Sequence, residues 1–253
     1  MLLITSLDST DSTNAYLKNL VLSKKTISEN SVLIDIPEYY TVRTSFQTNG
    51  RGQKDNVWHS EPEKNILLST LIYPTFQAEN QFDLNISICL GILDFCKNNI
   101  SPDGFSIKWP NDIYYLDKKI GGLLIEHTIS SDSILYSIVG VGLNINQESF
   151  PDFLPNPISA IGIKNNNYNI DFCVRELLSS IIDRYEVIST KIEDMKEEYR
   201  CSLFRMNTPS KFIHDNKEIV ASIYDVNKYG MLCLKTSNNA EIECGFKEIS
   251  YVL

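Results

Sequence analysis

The stretch KWPNDIYYLDKKIGGLLIE (Lys108–Glu126) alternates apolar runs with compact polar turns. It predicts a strand, a turn containing Pro110, a second strand, a tight hairpin at "DKK" and a third strand. Gly121 and Gly122 fall inside that third strand, where glycine weakens the strand and usually marks the close approach of a ligand or another backbone. A decorated β-hairpin explains "LDKK" but leaves the glycines unexplained, so they favour a binding function.

Charged groups are concentrated at the start of the same stretch. Lys108 and Asp112 bracket a proline-fixed turn, and Lys119 follows seven positions after Asp112. The stretch therefore brings a cation, a proline-fixed turn and a carboxylate together within five residues.

Apolar runs on either side predict the other main elements. "DSTN" provides cap residues for a helix whose Leu17, Leu20 and Val21 follow helical spacing. The remaining predicted elements are a buried strand at Asn65–Pro74, a core helix at Leu84–Asn99, a buried strand at Ser133–Asn146 and one amphipathic helix from about 171 to 200.

The last fifty residues differ in character from the rest. Short alternating segments are separated by turn signals at "HDNKE", "NKYG" and "SNNAE". This spacing predicts a small barrel or sheet of about five strands. We therefore expect two domains, residues 1–204 and 205–253.

Composition excludes several classes of protein. The 253 residues are 43% hydrophobic and 22% charged, as is usual for a globular protein, and the net charge of −9 argues against a nucleic-acid binder. The six cysteines lack a CxxC pair and the three histidines lack metal-ligand spacing, which predicts buried, reduced cysteines and no structural metal. No apolar run suits a membrane span and no signal peptide is evident, so we expect a cytoplasmic protein.

Two further polar clusters interrupt apolar context. "DSTN" (Asp11–Asn14) is either a simple helix cap or a set of hydroxyl and amide groups that binds a small polar group. "GVGLNIN" places Gly140 and Gly142 at the end of a strand, before Asn144, whose amide suits the edge of an adenine ring. A lone GxG is weak evidence for such a site.

The fourth cluster is FQTNGRGQKDNVWHSEPEKN, Phe46–Asn65. Gly50 and Gly52 allow backbone N–H groups to approach an anion, and Arg51 between them adds a positive charge. The stretch fails the dinucleotide GxGxxG pattern because Asp55 stands at the last glycine position, and it lacks the GK[ST] of a P-loop. A flexible hairpin tip is the alternative.

The four clusters together, in this order and spacing, closely resemble biotin–protein ligases (biotin holoenzyme synthetases), over residues 5 to 250. "KWPND" and "KIGGLLIE" are the most distinctive parts. The resemblance implies an α+β (α/β) catalytic domain related to class II aminoacyl-tRNA synthetases, with a mixed central sheet flanked by helices, and a small SH3-like C-terminal domain. It also implies that biotin and ATP form biotinyl-5′-AMP and pyrophosphate, and that the biotinyl group passes to one lysine of a biotin carboxyl carrier domain.

The resemblance further implies the roles of individual residues. Arg51 and Lys119 are expected to bridge the biotin carboxylate and the ATP α-phosphate, and Asp112 to hold Mg²⁺ or accept a proton from the incoming lysine. The residues expected to bind biotin are Ser12, Thr13, Asn14, Gln47, Arg51, Gly52, Gln53, Lys119, Gly121, Gly122, Gly140 and Gly142. The residues expected to bind ATP are Arg51, Trp58, Lys108, Asn111, Lys119 and Asn144.

The sequence departs from the family pattern in two places. Many relatives read "GRGR", whereas Gln53 stands here at the fourth position. The lost charge predicts easier escape of the adenylate, unless Lys54 compensates. "DSTN" also begins at residue 11, which leaves no room for the N-terminal DNA-binding domain of some relatives, so we expect an enzyme that does not bind DNA.

Other functions stay open at this point. A lipoate–protein ligase has a related fold and the same adenylate chemistry, although "KWPND" with "GRG" favours biotin. A non-catalytic biotin or nucleotide binder is a second alternative, and a peptide-binding C-terminal barrel is a third. An exposed strand edge would allow a homodimer as well as a monomer.

Overall fold

Residues 2–28, 31–53 and 56–252 are described by a computed structural model of the chain. Their contacts group them into two units. The first unit comprises the residues up to Ala78 together with Ile120–Leu178, and the second comprises Glu79–Lys119 together with Ser179–Leu253.

The described residues form the following strands and helices. The strands are β1 (Ile4–Thr10), β2 (Lys25–Ser28), β3 (Ser31–Ile34), β4 (Thr41–Gln47), β5 (Ile66–Ile72), β6 (Phe105–Lys108), β7 (Asp112–Tyr115), β8 (Lys118–Ser130), β9 (Ser133–Leu143), β10 (Ser210–His214), β11 (Lys217–Val226), β12 (Leu232–Thr236), β13 (Glu241–Cys244) and β14 (Ile249–Tyr251). The helices are α1 (Thr13–Ser23), α2 (Gln81–Asn99), α3 (Ala160–Lys164), α4 (Ile170–Glu186) and α5 (Ile188–Cys201).

A mixed sheet forms the framework of the first unit, as expected for the predicted α/β fold. Its strands lie in the order β1-β4-β5-β9-β8, and β1 runs parallel to β4 whereas the other neighbours are antiparallel. All seven residues of the central strand β5 are buried. The apolar run at Asn65–Pro74 therefore forms the predicted buried strand.

Helix α1 packs on this sheet through one apolar face. Leu17 and Val21, four positions apart and on the same side of the helix, lie in a buried cluster with Val42, Leu71 and Tyr136. Complete burial of such a side chain stabilises the fold by roughly 1.5–3 kcal/mol. The packing fixes where the N-terminal end of α1 lies against the sheet.

The predicted amphipathic helix from 171 to 200 is two helices, so the prediction of one helix was wrong. Helix α4 ends at Glu186, and α5 begins at Ile188 after Val187, whose φ of −99° and ψ of 5° place it outside both helices. The run Val187–Thr190 contains three β-branched residues, which form helices poorly. The apolar spacing continues across the break from Tyr185 to Ile188, and for that reason the pattern alone did not reveal it.

The second unit contains the predicted C-terminal strands as a separate antiparallel sheet. Five strands lie in the order β13-β12-β11-β10-β14. Turns with positive φ occur at the predicted signals, at Asp215 and Asn216, at Gly230 and at Asn239. The prediction of about five strands is confirmed, whereas its SH3-like character, the 204/205 boundary and the likeness to class II synthetases stay predictions.

The hairpin β6–β7 also belongs to the second unit, with Lys108 paired to Asp112 across its turn. Helix α2 lies buried on most sides from Leu84 to Cys96, as predicted for a core helix. Gly91 in its centre allows the close approach of α4, since a β-carbon there would lie 2.7 Å from the Cα atom of Ile181.

All six cysteines are free and five of them are buried, as predicted. Among the described residues, no helix combines the length and apolar character needed to cross a membrane. The same part of the chain contains no cluster of three or more His, Cys, Asp or Glu side chains arranged to hold a metal ion.

Candidate active site

The first polar cluster lies at the N-terminal end of α1, where Ser12, Thr13 and Asn14 are all buried. Ser12 is the N-cap residue, yet its hydroxyl makes no capping hydrogen bond. The Thr13 backbone N–H donates instead to Gln47 Oε1 at 2.8 Å, and the Thr13 hydroxyl lies 3.2 Å from the same oxygen. "DSTN" is therefore not a simple helix cap, because Gln47 from β4 joins it in one network.

Two residues that the sequence analysis did not single out complete this network. Ser69 Oγ lies 2.7 Å from Thr13 Oγ1 and 2.6 Å from Asn14 Oδ1. Asn14 Nδ2 donates to Glu126 Oε2 at 2.9 Å. Ser69 interrupts the apolar run of β5 and Glu126 ends the apolar run of β8, and a polar residue inside such a run was the available signal.

The glycines of "GVGLN" make room for two side chains of the first unit. A β-carbon at Gly140 would lie 2.2 Å from Asn14 Oδ1, and one at Gly142 would lie 2.6 Å from Trp58 Cε2. Gly122 is paired with Gly142 across β8 and β9, and a β-carbon at Gly121 would lie 2.7 Å from the Gly142 carbonyl oxygen. These glycines let Asn14 and Trp58 lie directly on the sheet.

The "GRG" segment forms a small hairpin. Arg51 is bridged to Val57, the Gly52 N–H donates to the Asn56 carbonyl at 2.7 Å, and the Trp58 N–H donates to the Gly50 carbonyl at 2.9 Å. The predictions that concern Lys54 and Asp55 fall outside the described residues.

The exposed Arg51 side chain has no ion-pair partner among the residues that the structure describes. Gln53, at the position where many relatives have arginine, is partly exposed. The hairpin therefore presents its guanidinium to solvent.

Asn144 offers a buried hydrogen-bond acceptor. Its Nδ2 donates to the Ile158 carbonyl at 3.1 Å and its backbone N–H donates to the Ile120 carbonyl at 2.8 Å. Its Oδ1 is buried and has no hydrogen-bond partner among the described residues. A buried acceptor without a donor is unfavourable by about 1–3 kcal/mol, so Asn144 Oδ1 suits a ligand N–H.

A second buried network holds the segment that follows Asn144. Asn65 Oδ1 accepts from the Ile145 N–H at 2.9 Å, and Asn65 Nδ2 donates to Gln147 Oε1 at 2.6 Å. Ser159 Oγ donates to the Gln147 carbonyl at 2.6 Å. No local pattern reveals these positioning residues, because their partners lie up to 82 positions apart in the chain.

The charged part of the predicted site lies in the second unit. Lys119 Nζ is 2.6 Å from Asp112 Oδ1, and both side chains are partly buried. Lys108 lies 5.3 Å from the ring centroid of Tyr114 and 5.1 Å from that of Tyr251, so two aromatic rings face its ammonium group. Burial lowers the pKa of Lys108, while the nearby Asp112 carboxylate acts in the opposite direction.

The predicted residues therefore fall into two groups. The first unit brings together the DSTN residues, Gln47, the GRG hairpin, Trp58 and the glycine strands. The second brings together Lys108, Asp112 and Lys119, with Asn111 buried in the turn between them. Joint action of Arg51 and Lys119 on two anions stays a prediction.

Comparison with known proteins connects these groups to a family. The model described as "Biotin/lipoate A/B protein ligase family" matches residues 7–144, more than half of the chain. The chain is 28% identical over 184 residues to the bifunctional ligase/repressor BirA of Bacillus spizizenii, covering 71% of this chain and 52% of that protein. It is 34% identical over 122 residues to biotin–protein ligase 2 of Arabidopsis thaliana, covering 45% of this chain and 35% of that protein. The chain spans about half the length, or less, of these curated relatives.

Solved structures share the fold over nearly the whole chain. Biotin protein ligase from Aquifex aeolicus, in complex with biotin and ATP, has a TM-score of 0.77 at 22% identity and covers 99% of this chain and 98% of that one. The enzyme from Leishmania major in complex with biotinyl-5-AMP has a TM-score of 0.61 at 18% identity, with coverage of 96% and 99%. With the family match over residues 7–144, the conclusion is that the chain belongs to the biotin/lipoate A/B protein ligase family.

Proposed function

We propose that the protein is an ATP-dependent biotin–protein ligase. The observation that carries this proposal is the buried network of Thr13, Asn14, Gln47, Ser69 and Glu126 at the start of α1. The ureido ring of biotin has two N–H donors and one carbonyl acceptor, so it requires a pocket with polar groups of both kinds. The dithiolane ring of lipoate has no such groups and would leave these polar side chains without a ligand partner.

In the first step, a biotin carboxylate oxygen attacks the α-phosphorus of ATP. A P–O bond forms, the bond to the β-phosphate oxygen breaks, and pyrophosphate leaves. Both reactants are anions, so their approach needs fixed cations and donors. We assign this task to Arg51 on the glycine hairpin and to Lys119 at the start of β8, with Lys108 as a further phosphate contact.

In the second step, the amine of one carrier lysine attacks the biotinyl carbonyl carbon. The amide bond forms, AMP leaves, and the nitrogen gives up a proton. Asp112 is the candidate acceptor for that proton, because its carboxylate is partly exposed and lies in the same turn as Lys108. We assign the carrier to the biotin carboxyl carrier proteins or domains, and the reaction to the cytoplasm.

The adenine ring is assigned to Trp58 and Asn144. One part of the Trp58 indole lies against Gly142, which leaves the partly exposed ring suited to stacking. The adenine amino group could donate to the buried Asn144 Oδ1, which has no partner in the described part of the chain. These two contacts predict a preference for adenine over rings that lack the amino group.

Mg²⁺ fits the second group of residues. The ion is usually bound by one or two carboxylates together with substrate phosphates, and Asp112 supplies one carboxylate beside the proposed phosphate contacts. When bound, Mg²⁺ would neutralise charge on the triphosphate. Asp112 would then bind the ion, and its ion pair with Lys119 would weaken.

The test is to incubate the purified protein with biotin, ATP, Mg²⁺ and an apo carrier domain, and to weigh the carrier by mass spectrometry. We expect the mass to rise by one biotinyl group. A parallel reaction with lipoate and an apo lipoyl domain tests the alternative function, lipoate–protein ligation. A mass gain only in that parallel reaction would replace our proposal by lipoate ligation, and no gain in either would leave binding without catalysis.

A further inference from the structure

The turn between β6 and β7 carries three residues of the predicted site: Lys108 and Asn111, expected to bind ATP, and Asp112, expected to hold Mg²⁺ or accept a proton. Trp109 and Pro110 lie between them and have no assigned role. Trp109 is buried and only 6% exposed. What holds this turn therefore determines where its charged groups lie.

Two helices of the second unit hold the backbone of the turn. The Pro110 carbonyl accepts from Asn85 Nδ2 of α2 at 2.9 Å and from the Tyr199 hydroxyl of α5 at 2.8 Å. Both lone pairs of this carbonyl are thus used. Burial raises the pKa of Tyr199 well above its ordinary value, so its hydroxyl stays protonated and continues to donate.

A third contact comes from the five-stranded sheet. Trp109 Nε1 donates to the Gly230 carbonyl at 3.0 Å, and the Trp109 ring packs against Phe246 with centroids 5.6 Å apart. Gly230 lies in the turn between β11 and β12, far from Trp109 in sequence. The sheet therefore contacts the residue next to Lys108 directly.

The turn that presents the Gly230 carbonyl is itself well defined. Gly230 has a φ of 81°, which favours glycine, and a β-carbon there would lie 2.4 Å from the Phe82 ring. Asn227 closes the turn, because its carbonyl accepts from the Gly230 N–H at 2.8 Å and its Oδ1 accepts from the Met231 N–H at 3.1 Å. The acceptor for Trp109 is thus held in place by hydrogen bonds within its own turn.

Tyr251 on β14 adds a second link from the same sheet, through its ring against the Lys108 ammonium. Trp109 and Lys108 are consecutive residues, and both contact strands or turns of this sheet. A shift of Trp109 would move the neighbouring charged residues relative to Tyr114 and Tyr251.

We propose that Trp109 is a positioning residue for adenylate formation, and that its indole N–H to the Gly230 carbonyl sets the place of Lys108 and Asp112. This role rests on the proposed ligase function. It assigns the five-stranded sheet a part in the first half-reaction. It also gives Trp109, Gly230 and Asn227 a function that their sequence positions do not suggest.

The test compares Trp109→Phe, which keeps a ring and removes the N–H, with the control Phe246→Leu, which keeps the N–H and reduces the ring contact. Biotin-dependent exchange of pyrophosphate into ATP gives kcat and a KM for each substrate. For Trp109→Phe we expect kcat to fall about tenfold and the KM for ATP to rise, as for one misplaced transition-state contact. The KM for biotin should change less than about twofold, and Phe246→Leu should stay within about threefold of the unchanged protein.

A Trp109→Phe protein with unchanged kcat would overturn the role of the indole N–H. An equal loss in Trp109→Phe and Phe246→Leu would assign the effect to packing and overturn it as well. If Trp109→Phe does not fold, Asn227→Ala carries the test, because it loosens the turn that presents the acceptor. We then expect a lower kcat at unchanged KM for biotin, and an unchanged kcat counts against the proposal.

The same assay separates this role from the proposed function. Absence of exchange in the unchanged protein would remove the ligase assignment, and the positioning role with it. Normal exchange in the unchanged protein and in Trp109→Phe alike would remove the positioning role alone.

Discussion

Lys119 Nζ lies 2.6 Å from Asp112 Oδ1, so the two residues predicted to act on the reacting groups form an ion pair. Asp112 begins β7 and Lys119 lies at the start of β8, seven positions later, on either side of the turn at Leu116 and Asp117. The hairpin therefore brings together a base and a cation that the reaction would use at different steps. Substrate phosphate would compete with Asp112 for the ammonium group.

Replacement of Lys119 should separate catalysis from stability. For Lys119→Ala we expect adenylate formation to fall by about two orders of magnitude or more, because charge-assisted hydrogen bonds contribute roughly 1.5–3 kcal/mol each. The ion pair is partly exposed and such pairs contribute about 1 kcal/mol or less, so urea unfolding should change little. Lys118→Ala, at the exposed neighbouring lysine, is the matched control. Normal pyrophosphate exchange in Lys119→Ala would contradict the assignment.

Replacement of Arg51 should also lower activity, with an even smaller effect on stability. Its side chain is exposed and has no ion pair among the described residues, so Arg51→Ala should alter the free energy of unfolding by less than about 0.5 kcal/mol. Adenylate formation should fall by about two orders of magnitude, since the proposed function assigns this charge to the approach of two anions in the transition state. Arg175→Ala removes an exposed arginine from α4 and serves as the control. Equal activity of the two variants would exclude Arg51 from the reaction.

Local patterns were sufficient to predict most elements of the fold. The apolar run of β5, the helical spacing of Leu17 and Val21 in α1 and the turn residues near Gly230 each act over a few positions, and each formed the predicted element. The break at Val187 was missed because the apolar spacing of α4 and α5 continues across it. A weak helix-forming run was the one local sign of it.

The candidate site was less predictable, because its contacts link distant parts of the chain. Ser69 lies inside an apolar strand, and its place in the site depends on a hydrogen bond to Asn14, which lies 55 positions earlier. Trp109 belongs to the most distinctive motif, yet its partner Gly230 lies 121 positions later. Composition and spacing carry no information about such pairs until the strands are placed.

Gly140 offers a test of the proposed biotin pocket. A β-carbon in Gly140→Ala would lie 2.2 Å from Asn14 Oδ1, so the amide must move and its bonds to Ser69 and Glu126 must weaken. We expect biotin affinity, measured by calorimetry, to fall about tenfold or more, with some loss of stability from overpacking. Gly162→Ala is the control, since a β-carbon there would meet Ser159 Oγ at 3.4 Å, an ordinary contact. Unchanged biotin affinity in Gly140→Ala would place biotin elsewhere.

The pKa of Lys108 predicts how stability depends on pH. Burial lowers this pKa in the folded protein, so the unfolded chain binds the Lys108 proton more tightly than the folded protein does. The free-energy cost of burying the charged Lys108 side chain is fully present when the lysine is protonated in both the folded and the unfolded state. It is relieved as pH rises from the lowered folded pKa through the unfolded value of about 10.4, so stability gains a favourable contribution in that range. Lys108→Met lacks this contribution.

The measurement is urea unfolding of the unchanged protein and of Lys108→Met between about pH 8 and pH 10.5, the range that ends at the unfolded lysine pKa. Tyrosine ionisation affects both proteins, so the difference between their free energies of unfolding isolates Lys108. We expect that difference to shift in favour of the unchanged protein as pH rises. Lys97→Met, on a lysine at the C-terminal end of α2, controls for the loss of a positive charge. If the difference in free energy of unfolding stays constant, or comes to favour Lys108→Met as pH rises, the result would contradict a buried ammonium group between aromatic rings at this position.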